Sequence, residues 1–245
     1  GLRLRKTRAS VAKEKGLEPL SNEILLCQSN NTDVMTLCEK YVDPEKGVNT
    51  AAEALCGAKD IIAESVSDNA DVRRRVRNLV YLNGTVDCKA AGEEKSVYET
   101  YYDFSQAVGK IAGHRVLAIN RGEKEGFLKV SVSVDSERPL NAVYSMFVKG
   151  EGSCAAAVKE ACEDAYSRLV FPSIEREIRN ELTEKADESA IKVFGTNLRQ
   201  LLLQPPIKGK TAIGLDPGYR TGCKVAVVDP TGKVLDTAVI YPTHG

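Results

Sequence analysis

The chain has 245 residues, 42% hydrophobic and 28% charged, with 34 Lys and Arg against 34 Asp and Glu. That is the composition of a globular protein of one or two domains with enough length for a sizeable core; its zero net charge excludes a whole-molecule pull on nucleic acid, so phosphate binding would need local patches. No run of 18 apolar residues exists, which excludes a membrane-spanning helix, and no apolar stretch follows the basic residues 1–8, so no signal peptide is read and a cytoplasmic location is expected.

The first half reads as short helices. Residues 8–15 are helix-compatible and stop at Gly16, a residue suited to a left-handed helix end. Pro19 can open a second helix with Ile24, Leu25 and Cys27 on its apolar side. Residues 33–41 form a third, closed by the turn Asp43-Pro44-Glu45-Lys46-Gly47. Thr50 and Glu53 have the spacing of a capping box, followed by Ala51, Ala54, Leu55, Ala58, Ile61, Ile62 and Val66 on one helical face. Val72, Val76, Leu79 and Val80 mark another helix that ends near Gly84.

Between residues 84 and 136 the pattern changes to a small mixed α/β insertion. Residues 85–91 are compatible with a strand. Tyr98, Tyr101, Tyr102 and Phe104 cluster, and Phe127, Leu128, Val130, Val132 and Val134 form a strand run that alternates with Lys129, Ser131 and Ser133. Helices then resume. Ala155, Val158, Ala161, Cys162, Ala165 and Leu169 share a face. A long helix is expected after Pro172, with Ile174, Ile178, Leu182, Ala186, Ala190 and Val193 at near-fourfold steps. Gly195 is a candidate break or bend, and Pro205-Pro206 a stop. Beyond Lys210 the period becomes two: strands at 212–215, 225–228 and 234–240, with the turn Asp229-Pro230-Thr231-Gly232 between the last two.

Seven Cys without CxxC spacing and only two His argue against a zinc cluster or a disulfide framework, and for reduced core thiols. His114 lacks a convincing nucleophile partner, and 121–126 lacks the glycine spacing of a phosphate loop. The aromatic cluster could stack on bases, although its helix-like spacing suits a core role better. Two basic clusters could neutralise phosphates: Arg3, Arg5, Lys6, Arg8, Lys13 and Lys15 near the start, and Arg73, Arg74, Arg75 and Arg77 later. Both also look like the solvated side of a helix. In the second, the valines take the buried side and the arginines point outward by default.

The sharpest motif is Gly214-Leu215-Asp216-Pro217-Gly218-Tyr219-Arg220-Thr221-Gly222, an Asp at a strand end before a glycine-rich turn. Ribonuclease-H-like domains begin this way, with that Asp helping to hold divalent metal. Two-metal chemistry needs several carboxylates, and Asp216 has no evident companion, since Asp229 lies in a turn and Asp236 at an unrelated strand position. Asp216 is therefore either the first ligand of a metal site or a turn-forming Asp before Pro217.

Five longer stretches carry a resemblance: KTRASVAKEKGLEPL at 6–20, YVDPEKGVNT at 41–50, GHRVLAINRGEKEGFLKV at 113–130, PSIEREIRNEL from 172 onward, and IGLDPGYRTGCK at 213–224. Over essentially its whole length the chain resembles the bacterial Tex family of transcription accessory proteins. The resemblance implies a helical region, a YqgF domain of ribonuclease-H-like fold, helix-hairpin-helix elements and an oligonucleotide-binding-fold RNA-binding domain, with the last two outside this chain. The expected fold is mainly α with a small α/β insertion, followed by the first strands of an incomplete ribonuclease-H-like α/β domain. The expected division is a helical core at 1–206 and YqgF strands at 207–245. The expected role is that of a nucleic-acid-associated scaffold segment, not a complete enzyme; the alternative is part of a metal-dependent nuclease or resolvase-like enzyme whose site begins at Asp216. Candidate nucleic-acid contacts are Arg73, Arg74, Arg77, Arg5, Lys6 and Arg8. No cofactor is expected in this segment, and magnesium only for a complete YqgF domain. Expected partners are RNA or DNA, the transcription machinery and, through exposed C-terminal strands, a second copy of the chain; no membrane is expected.

Overall fold

A computed structural model describes residues 6–205, 208–218 and 220–241. They fall into two units, 1–190 and 191–245. The second expected stop residue, Pro206, lies outside the described residues.

The first unit opens with α1 (Arg8–Glu14), where Thr7 and Ser10 cap each other's backbone, and Gly16 at φ 80° turns the chain. Pro19 sits in the first turn of α2 (Glu18–Leu26), and α3 (Val34–Glu39) follows. Thr50 caps α4 (Ala51–Asp68) by accepting from the Glu53 N–H. The expected reciprocal bond is displaced by one residue, because the Glu53 carboxylate accepts from the Asn49 N–H at 2.8 Å. Ala54, Ala58, Ile61, Ile62 and Val66 of α4 are buried as their spacing predicts. Asn69 caps α5 (Ala70–Asn83), which buries Val72, Val76 and Val80.

The insertion contains β1 (Thr85–Ala90), β2 (Asp103–Ala107), α6 (Gly113–Lys124) and β3 (Leu128–Ser133). The strands form an antiparallel sheet in the order β2-β1-β3. Tyr98 is buried beside Phe127, so the best-buried member of the aromatic cluster takes the core role. Next comes α7 (Glu137–Phe147), an element the sequence reading did not identify.

The main departure is at Pro172. The sequence pattern predicts two helices, the second starting after that proline. Instead α8 (Ser153–Asp164) passes through a π-helical stretch, Ala165–Val170, into α9 (Phe171–Leu202) without interruption. Proline lacks an N–H and its ring crowds the carbonyl four residues back. The wider π turn relieves that crowding while the helix continues. Ile174, Ile178, Leu182 and Ala186 are buried, but the predicted ladder ends there: Ala190 and Val193 are exposed. Gly195 does not break the helix. Glu175 of α9 accepts the Val132 N–H at 2.7 Å, so a side chain occupies part of the outer edge of β3.

In the second unit, β4 (Ala212–Gly218), β5 (Gly222–Val228) and β6 (Val234–Ile240) form an antiparallel sheet in chain order. Gly222, at φ 78°, needs to be glycine: a Cβ there would meet the Tyr241 ring at 2.7 Å and Val239 at 2.8 Å. The cross-strand rows Ile213–Val227 and Leu215–Val225 put one apolar set on one face, and Ile213 and Leu215 remain 65% and 62% exposed. No helix among the described residues is long and apolar enough to cross a membrane.

Candidate nucleic-acid interface and the Asp216 strand

The α5 arginines follow a buried valine stripe, so their side chains leave the core on the flanks of the helix. They do not all end in solvent. Arg73 pairs with Glu177 and donates to Ser173 Oγ at 3.0 Å. Arg77 pairs with Glu181, whose other oxygen takes Lys185 Nζ at 2.6 Å. Arg74 reaches Asp71, one turn back, at 2.7 Å. The Glu181 carboxyl is held below its usual range, first by the Lys185 hydrogen bond and also by Arg77. Three of the four guanidiniums thus have carboxylate partners within the protein, two of them on α9; Arg75 is exposed. The expectation of outward arginines is corrected for Arg73 and Arg77. Their partners lie 104 residues away, which no local pattern reveals.

The N-terminal cluster is mixed. Lys6 pairs with Glu14 at 2.9 Å and Lys13 with Glu64 at 3.3 Å, while Lys15 donates to the Gly47 carbonyl at 3.0 Å. Arg8 is exposed and lies close enough to Asp60 and Asp164 to act on both electrostatically. Arg3 and Arg5 lie outside the described residues. His114 is exposed on α6.

Asp216 is in the body of β4, opposite Lys224 of β5, and it is exposed. The turn-forming reading is therefore corrected: the tight connection lies farther on, where Gly218 pairs with Gly222. Asp236 is opposite Val227, which is opposite Ile213. Because faces alternate along a strand, Asp216 and Asp236 project from opposite faces and cannot ligate one ion. Asp229 is tied into its own turn, accepting from the Thr231 N–H at 2.8 Å, the Thr231 hydroxyl at 2.7 Å and the Lys233 N–H at 3.0 Å. The Thr231 side chain foremost, then those N–H groups, hold its carboxyl low. Among the described residues no group of three or more His, Cys, Asp or Glu could hold a metal ion.

All seven Cys are free thiols, and Cys38, Cys88, Cys154 and Cys162 are buried. Burial first of all pushes the Cys162 thiol up to about 12 and those of Cys38 and Cys88 to about 11, which keeps them protonated and unreactive. Cys56 is exposed on α4, contrary to a core role.

Residues 29–194 match the Tex central region-like family, and residues 210–245 match the Tex protein YqgF-like domain. The protein YdcI of Bacillus subtilis is 48% identical over 97% of this chain and 34% of its own length. The transcriptional accessory protein Tex of Neisseria gonorrhoeae is 32% identical over 97% of this chain and 32% of its own length. The human S1 RNA-binding domain-containing protein 1 is 30% identical over 96% of this chain and 25% of its own length. The chain thus spans about a third of the length of the bacterial relatives it matches.

Proposed function

The chain belongs to the Tex family of transcription accessory proteins, and from that premise we propose that it is a scaffold segment, a helical body that positions the nucleic-acid-binding domains of a cytoplasmic full-length protein for work with the transcription machinery. The observation that supports this reading is α9: its first half is packed by Ile174, Ile178 and Leu182 and tied by Arg73 and Arg77, while the same helix continues to Leu202, ahead of the YqgF-like strands. A helix fixed in the body along its first half suits a scaffold role. The name of the human relative, an S1 RNA-binding domain-containing protein, supports nucleic acid as the partner of the full-length protein. The test compares the affinity of the full-length protein and of this chain for one RNA oligonucleotide. The scaffold reading expects weak, salt-sensitive binding by the chain and far tighter binding by the full-length protein; equal affinities would overturn it.

On this reading the segment does not catalyse. Asp216 faces Lys224 across the strand pair and has no second carboxylate on its face of the sheet. Magnesium would belong only to a complete YqgF domain. The alternative, a metal-dependent nuclease or resolvase-like site beginning at Asp216, draws on that side chain's exposed position in β4. Cleavage of nucleic acid by this chain with Mg²⁺ or Mn²⁺, lost in Asp216→Asn, would establish the alternative. Self-association through the exposed C-terminal strands belongs to the same proposal. Light scattering after size exclusion checks it: the chain should run heavier than a monomer, and a chain ending at residue 206 should not.

A further inference from the structure

The balanced total charge conceals an uneven distribution. Residues 191–245 contain seven Lys and Arg (Lys192, Arg199, Lys208, Lys210, Arg220, Lys224 and Lys233) against three Asp and no Glu, a net charge of +4. The whole chain is neutral, so residues 1–190 carry −4. The two units also differ in their ion pairs, although many cations of the first unit, Arg75 among them, also lack one. Every ion pair between described side chains lies in the first unit, from Lys6–Glu14 to Lys185–Glu181. Described lysines and arginines of the second unit have no carboxylate within 4.0 Å among the described residues. Two of its three aspartates are also engaged locally: Asp229 in its turn, and Asp236 accepting the Thr237 N–H at 2.8 Å.

Strand register fixes where some of these cations gather. Ala212 of β4 and Val234 of β6 both pair with Val228 of β5, one on each side of it. Lys210, two residues before Ala212, and Lys233, one before Val234, therefore converge on the same end of the sheet, with Lys208 just upstream at the Gly209 turn. Lys224 lies four residues back along β5, about 13 Å away at the usual rise per strand residue. Arg220, in the β4–β5 turn, lies beyond the Gly222 end, about 20 Å from Val228. All five side chains are exposed. The result is a line of exposed cations along a short sheet, with its densest point at Lys208, Lys210 and Lys233; only Lys224 among them has a carboxylate, Asp216, opposite it on the neighbouring strand.

We propose that this line, Lys208, Lys210 and Lys233 at one end with Lys224 and Arg220 along it, is the chain's contact surface for the phosphate backbone of nucleic acid, and that the arginines of α5 are not. The proposal rests on the nucleic-acid reading above and locates it. A cation already paired with a carboxylate must lose that partner before it can take a phosphate, and so gains little. An unpaired surface cation releases condensed counterions from the nucleic acid at no such cost. Spaced point charges suit backbone contact, and so binding without sequence preference.

The experiment is fluorescence anisotropy of labelled 20-mers, oligouridine and oligothymidine, titrated with the 245-residue chain from 50 to 200 mM salt. Each phosphate contact on a single strand contributes about −0.7 to the slope of log K against log salt. K208Q/K210Q/K233Q should therefore flatten the slope by about 2 and weaken binding to both oligomers alike. R73Q/R74Q/R77Q should leave the slope unchanged, and circular dichroism should match wild type for the lysine variant, whose changes are all exposed. A slope that falls in the arginine variant and not in the lysine variant overturns the proposal while leaving the nucleic-acid reading standing. No binding by the unaltered chain at 50 mM salt overturns both. Polyglutamate competing as well as unlabelled oligouridine would mark the surface as a protein-binding one and also overturn the proposal.

Discussion

The helical body and the C-terminal sheet use the same kinds of residue to opposite ends. In the body, apolar side chains at helical spacing meet one another: Ile24, Ile62, Ile174 and Ile178 are all at most 1% exposed. In the second unit, strands with equally regular alternation leave Ile213, Leu215, Leu235 and Ile240 at 45–65% exposure. The charges diverge as well: among the described residues ion pairs occur only in the body, and none forms in the sheet. Periodicity announces that a face is apolar; it does not say that the face is covered. Stability in this chain should therefore be concentrated in the body, and substitutions of matched chemistry should cost very different amounts in the two regions.

The largest contrast is expected from truncating one core residue in each. Ile178→Ala removes fully buried methylenes from α9 and should cost about 2–5 kcal/mol in urea unfolding. Val225→Ala, in β5 on the open face of the sheet, should cost under about 1 kcal/mol. If the two cost the same, something covers the sheet in solution and the comparison fails.

Next is a crowded glycine. Gly57 lies in α4 where α1 and its following turn pack against it, and a Cβ there would collide with Leu17 Cδ1 and lie 3.2 Å from Ala12 Cβ. Alanine is the better helix former, yet overpacking here should win and destabilise by about 1–3 kcal/mol. A midpoint unchanged or raised would mean that Leu17 moves aside freely.

Acid should loosen the body through its ion pairs. The Asp164 carboxyl is held low, chiefly by the Arg168 hydrogen bond, and that of Glu181 chiefly by Lys185. A depressed folded-state value means stability that is present above the unfolded-state values, about 3.9 for Asp and 4.3 for Glu, and lost as pH falls through the lower folded ones. Asp60, pushed up by burial, works in the opposite sense, since its charged form is the disfavoured one. Half-exposed pairs are worth up to about 1 kcal/mol each. Melting temperature should therefore fall modestly from pH 5 to pH 3, and less so in Arg77→Gln. Stability that rises over that range would show Asp60 to dominate.

How much of this was legible in the sequence depends on the range of the interaction. The Thr50 cap, the α4 and α5 stripes and the alternation in β3 are fixed by neighbours within a few residues, and the sequence displays them. The family resemblance, carried by long stretches such as 113–130, was legible in the same way, and the family matches agree with it. The helix through Pro172 was not legible, because a π-helical stretch has no composition of its own and the proline signal points to a start. The fate of Arg73 and Arg77 was not legible either, since it depends on which helix packs beside α5. The cations of residues 191–245 were visible one by one, but the neutral total concealed their separation from the acidic body.

The smallest effect separates two glycines of the same secondary structure. Gly195 lies within α9, and a Cβ built on it meets nothing within 4 Å. Its sequence reading as a break came from the backbone freedom that glycine retains when unfolded and gives up in a helix, a cost of about 0.5–1 kcal/mol relative to alanine. Packing does not offset that cost here, because the flanking Phe194 is 67% exposed and Ile191 is 70% exposed. Gly195→Ala should then stabilise the end of α9 by about the propensity difference, opposite in sign to Gly57→Ala, and without steric penalty. The gain is local, since the buried ladder ends at Ala186 and the last turns can fray without opening the core. Global urea unfolding should barely move. Amide exchange from residue 191 to residue 202 should slow by a few fold, with protection at Ile174 and Ile178 unchanged. If the substitution instead speeds exchange there, position 195 is closely packed in solution, and the uncovered half of α9 has a partner after all.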